Sequence, residues 1–98
     1  MAAKKINSIL QDEKKCYVTG REYGLHKHHI YGGGNRKISE MEGFCVYLIP
    51  EYHNLPPLGV HYDHEFDMKL KMECQREYER HHTRAEFMAL IGRNYLDD

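Results

Sequence analysis

The chain has no tryptophan and only three cysteines in 98 residues. Cys16, Cys45 and Cys74 are odd in number, widely spaced and never arranged as CxxC. That excludes a disulfide framework and a four-thiolate zinc clip as the organising device. No apolar run approaches the roughly 20 residues that a membrane helix requires. The opening stretch "MAAKKINSILQDEKK" lacks the apolar core of a signal peptide. Together these absences predict an intracellular chain. An excess of charge is missing as well: 14 basic residues face 15 acidic ones, a net charge of −1 with histidine neutral. A domain held to nucleic acid by bulk charge alone carries a clear positive excess, so any such contact must be a local basic face. Lys27, Arg36 and Lys37 form the nearest thing to one, while "EYHNLPPLGVHYDHEFD" gathers acidic residues. The length allows one small domain, residues 1–98, and no second core.

What is present in excess is histidine, eight residues, six of them between positions 26 and 64. Histidine is the commonest metal ligand and the side chain whose ordinary pKa lies nearest neutrality. The coarse pattern around these histidines is α+β. "INSILQDEKK" has a weak amphipathic spacing and predicts a short helix. "CYVTGREYG" holds a turn at Thr19-Gly20, and "GLHKHHIY" is a strand candidate ended by three glycines. "NRKISEMEG" reads as a polar loop, and "FCVYLIP", rich in aromatic and β-branched residues, as the best strand, closed by Pro50. Two strands joined this way predict an antiparallel pair. "NLPPLG" is irregular because consecutive prolines exclude helix. Residues 60–82 then show helical spacing, with Phe66, Leu70, Cys74 and Tyr78 recurring every fourth position as core. His81 and His82 fall at the C-terminal end of that helix, where partial positive charge suits the dipole. "TRAE" is a capping box that opens a last helix, "RAEFMALI", ended by Gly92.

A hairpin followed by a helix can gather metal ligands. His28 and His29 end the first strand, His53 follows the second, and His61 opens the long helix. Neighbouring strand residues point to opposite faces, so the doublet needs a local bend near "YGGG" to face one cleft in two roles. His26 reads as a half-exposed strand residue, and His64 as either a ligand or part of a solvated face.

The ordered set "LHKHHIYGGG", "CVYLIPEYHN" and "GVH" resembles an HNH endonuclease of the His-Me finger (ββα-metal) class. More narrowly, "HHIYGGGNRKISE", "YLIPEYHN", "FDMKLKMECQREYE" and "IGRNYL" are similar to stretches of small phage and prophage proteins grouped with RecA-dependent nucleases. The resemblance covers about residues 16–96, with the core at about 16–82 and a C-terminal helix at about 83–96. It implies a ββα-metal core built from an antiparallel hairpin and a long helix, with short flanking helices. It also implies hydrolysis of DNA phosphodiester bonds with low sequence specificity. His29 matches the general base, and His28, His53 and His61 match ligands of one divalent cation, with Mg²⁺, Mn²⁺, Ni²⁺ and Zn²⁺ as candidates. Lys27, Asn35, Arg36 and Lys37 are the expected phosphate contacts. The implied partner is DNA, with no membrane, and the implied compartment is the cytoplasm of a bacterium or phage-infected cell. A homodimer would supply the two cuts that a duplex needs, and a recombination or phage-packaging protein is the expected protein partner.

Two positions depart from the family pattern. The register of its middle asparagine holds Phe44, which leaves Asn35 or Asn54 to orient the base. Cysteine pairs that bind zinc in many relatives are missing, with Thr19 three residues after Cys16 and "IPEY" at the second place. The rival expectation is therefore a catalytically degenerate HNH fold or a zinc-binding module that acts in DNA or protein binding.

Overall fold

The computed structural model describes residues 5–96. Its sheet has two strands, β1 (His26–His29) and β2 (Cys45–Leu48), paired antiparallel in the register His26↔Leu48, Lys27↔Tyr47, His28↔Val46 and His29↔Cys45. Both strands and their pairing agree with the sequence expectation. The fold is a small α+β arrangement, with helices α1 (Arg36–Glu42), α2 (Pro50–His53), α3 (His64–Tyr78) and α4 (Arg84–Ile91) around the pair. Among the described residues, no helix is long and apolar enough to cross a membrane.

The core forms where β2 meets α3 and α4. Phe44, Val46 and Leu48 are fully buried beside Leu70, Cys74 and Phe87. Ile30 and Tyr31, just past β1, complete it; the Tyr31 ring packs edge-on against Phe44 and Phe87, and its hydroxyl donates to the Lys71 carbonyl at 2.6 Å. The predicted stripe along α3 is recovered, with Leu70, Cys74 and Tyr78 buried and Phe66 half-buried. Asp63 caps α3 by accepting the Phe66 N–H at 3.1 Å. The capping box of α4 is complete: Thr83 Oγ1 accepts from Glu86 N–H at 3.0 Å, and Glu86 accepts from Thr83 N–H at 2.8 Å. Gly92, at φ +85°, ends that helix in the left-handed region.

Four local expectations are corrected. Residues 6–15 form no helix: Ser8 Oγ accepts from Leu10 and Gln11 N–H, both at 3.1 Å, and donates to the Cys45 carbonyl at 2.6 Å. A serine that offers the backbone these bonds competes directly with helical ones. The segment instead lies along β2, where Gln11 Oε1 accepts the Tyr47 N–H and the Tyr47 carbonyl accepts from Tyr17 N–H, both at 2.8 Å.

The polar stretch after the glycines is helix α1 rather than a loop. Its buried Ser39 donates to the Tyr31 carbonyl at 2.7 Å and accepts the Tyr31 N–H at 3.2 Å, which ties the helix to the end of β1. Pro50 closes β2 but also opens α2, since proline suits the first helical position. The long helix spans His64–Tyr78 rather than 60–82, so His61 lies before it and His81 and His82 beyond it.

Candidate metal centre and its cleft

β1 sorts its histidines by alternation. His28 is buried at 6% exposure and lies on the same face as His26, while His29 takes the other side. The chain leaves β2 at Leu48, opposite His26, and α2 immediately carries His53 back towards that face. His61 arrives by closure of the "NLPPLG" loop. Gly59 N–H donates to the Leu55 carbonyl and Val60 N–H to the Tyr52 carbonyl, both at 2.8 Å, and His61 N–H reaches the His53 carbonyl at 3.3 Å. The eight-residue step between the two histidines is therefore folded out of the way. Gly59 makes that closure possible: a Cβ there would lie 2.8 Å from the Leu55 backbone nitrogen and oxygen.

One nitrogen each from His28, His53 and His61 lie within 4.8 Å of one another, close enough to share one metal ion. His28 Nε2 is buried without a hydrogen-bond partner, a costly state for a polar atom unless something else completes it. Burial, reinforced by His53 and His61, pushes the His28 pKa down to about 3. Burial, then His61 and His26, takes His53 to about 4. Both rings are therefore neutral at pH 7 and keep the lone pair that a metal ligand needs. These three residues are the predicted ligand set. His64, the alternative to His61, lines the same cleft but is not in the trio.

His29 turns away from the trio yet borders the same space. A cleft of about 450 Å³ is lined by His28, His29, Gly32, Gly33, His61 and Lys71, among others. An adjoining one, about 310 Å³, includes His29, His53, His61 and Arg36. His29 Nε2 lies 2.7 Å from Glu40 Oε1 on α1, and Lys27 Nζ lies 2.6 Å from the other oxygen. Lys27, and then His29, hold the Glu40 carboxyl down at about 2, and Glu40 in turn raises Lys27. Arg36 and Lys37 are exposed on α1, line the surface near His29 and Glu40, and make no salt bridge among the described residues. Asn35 lies at the N-terminal boundary of α1, and its amide donates to the Ile91 carbonyl at 2.9 Å, tying α1 to α4. Phe44, where the sequence resemblance would place an asparagine, is fully buried core.

Two residues went unread in the sequence. Glu40 was hidden because its helix was read as a loop. His26 is the half-exposed strand residue that the sequence predicts, but its contact, Nδ1 2.9 Å from His53 Nδ1, is not foreseen. Its shared parity with His28 was the one available signal. Comparison of the chain with protein-family models, with curated proteins and with solved structures gave no match.

Proposed function

We propose that the chain is a metal-dependent endonuclease of the HNH, or His-Me finger, class that hydrolyses DNA phosphodiester bonds. The observation that carries this reading is one cleft bordered by two kinds of histidine. His28, His53 and His61 converge, with His28 and His53 held neutral at pH 7, and His29 lines one cleft with all three while a carboxylate holds one of its ring nitrogens.

Held by the trio, a divalent cation (Mg²⁺, Mn²⁺, Ni²⁺ or Zn²⁺) would supply charge stabilisation to the scissile phosphate and the leaving 3′ oxygen. The Glu40 carboxylate accepts the Nε2 proton of His29, which leaves Nδ1 as the ring atom that takes a proton from the attacking water. General bases of this kind contribute about 10²–10⁴-fold. Glu40 thus takes the orienting role that the family gives to asparagine, while Asn35 serves the helix packing. Arg36 and Lys37 supply phosphate contacts at the rim, and Lys27 is shared with Glu40. Phosphate contacts of this kind carry no sequence information by themselves, which suits low sequence specificity.

The test is nicking of supercoiled plasmid with each of Mg²⁺, Mn²⁺, Ni²⁺ and Zn²⁺, beside the His29→Ala protein. Nicking by the wild type, lost in His29→Ala while metal uptake stays near normal, is the expected outcome. Cleavage that survives in His29→Ala removes the assigned base. A tightly held zinc with no cleavage by any metal favours the zinc-binding module instead.

A further inference from the structure

His26 and His28 share one face of β1. His26 pairs with Leu48, the last residue of β2, and the next turn of chain is α2. That topology sets the His53 ring against both: centroids lie 5.1 Å from His26 and 5.4 Å from His28. The two nitrogens of His53 meet different partners, Nδ1 facing His26 Nδ1 at 2.9 Å and Nε2 facing His61 Nε2 at 3.2 Å.

Two imidazole nitrogens in contact at 2.9 Å share one proton, so one donates and the other accepts. Neutral His53 has a single N–H. With that proton on Nδ1 and donated to His26, Nε2 keeps its lone pair towards His61. With His26 as the donor, His53 would carry its proton on Nε2 and could not ligate through that atom. We infer that His26 is a positioning residue of the metal centre: it accepts the Nδ1 proton of His53 and so fixes the tautomer and ring orientation that present His53 Nε2 to an ion. A ligating histidine commonly gives its second N–H to a carboxylate, carbonyl or water; here the acceptor is another imidazole.

The inference rests on the reading of His28, His53 and His61 as a metal centre, and the experiment separates the two. Co²⁺ is titrated into the full-length protein and followed by its visible absorption. His26→Phe keeps a ring of similar shape and removes the acceptor, whereas His26→Gln keeps an acceptor oxygen. His26→Phe is expected to weaken Co²⁺ binding about 10- to 100-fold, and His26→Gln to recover most of the loss. Proton–nitrogen correlation spectra of the metal-free protein read the His53 tautomer directly: Nδ1–H in the wild type and in His26→Gln, and Nε2–H populated in His26→Phe. Wild-type Co²⁺ affinity in His26→Phe overturns the positioning role alone. Should His26→Phe fail to fold, the wild-type spectrum decides, since a proton on Nε2 of His53 overturns the assignment. A wild type that takes up no Co²⁺ overturns the metal-centre reading, and this inference with it.

Discussion

Alternation along four residues of strand divides the chemistry at the residue scale. His28 goes inward to an uncompensated burial, and His29 goes outward to a carboxylate. The Glu40–His29 contact makes a specific prediction. Glu40→Ala should lower the nicking rate about 10- to 100-fold, a part of what a general base supplies, with KM for DNA unchanged or reduced because Lys27 is released towards phosphate. Glu40→Gln keeps an acceptor for the Nε2 proton and should restore most of kcat; plasmid nicking at several DNA concentrations measures both. Equal losses in the two variants would assign Glu40 an electrostatic role instead. At this scale the trio was legible, because six of the eight histidines crowd residues 26–64, where a hairpin followed by a helix can gather them. The His26 contact was not, because its partner lies 27 residues on and is delivered by a helix whose start looked only like a strand's end.

Individual elements show more plainly what spacing can and cannot reveal. The last helix was legible because its start is written in side chains that bond their own backbone, and the stripe of α3 because burial repeats every four residues. Helix α1 was not: one buried serine and one half-buried isoleucine give it little apolar periodicity, and its anchor is the distant backbone of Tyr31. The loop between α2 and α3 carries a second prediction. Gly59→Ala places a methyl group 2.8 Å from backbone atoms that cannot yield as a side chain would. The loop must open, and His61 moves away from His53. Metal affinity measured by titration should fall by at least about tenfold, the scale at which ligand placement is felt. The α4 cap offers a control remote from the metal trio: Thr83→Ala should cost about 1 kcal/mol in urea unfolding and leave metal affinity unchanged.

For the whole molecule, the neutral histidines make stability depend on pH. His28 falls from its ordinary 6.5 to about 3 on folding, and His53 to about 4. The unfolded chain therefore binds more protons than the folded one between those values and 6.5, and stability is lost as pH falls through that window. Above pH 6.5 both states are deprotonated at these sites and the effect is complete. Partial burial reduces the full conversion, leaving on the order of 2–4 kcal/mol between pH 7 and pH 4 in metal-free protein. Urea unfolding across that range checks it, and His28→Phe should flatten the dependence. Metal acts in the opposite sense: at 100 times its dissociation constant an ion bound only by the folded state adds about 2.7 kcal/mol. A melting temperature that rises with Co²⁺ and returns with a chelator is the expected result.

The segment that was read as a helix and turned out to lie along β2 has a consequence for the life of the sheet in a crowded solution. A two-stranded sheet has two margins, and each is a template on which another extended chain can grow. Along β2 that margin is occupied: the Cys45 carbonyl is taken by Ser8, the Tyr47 N–H by Gln11, the Tyr47 carbonyl by Tyr17 and the Ile49 N–H by the Cys16 sulfur. The most apolar strand in the chain is thus denied to strangers by three side chains and one backbone N–H from the segment that precedes β1. Removing the Gln11 amide reopens one rung, and Gln11→Ala should aggregate faster than wild type under light scattering at equal concentration and temperature.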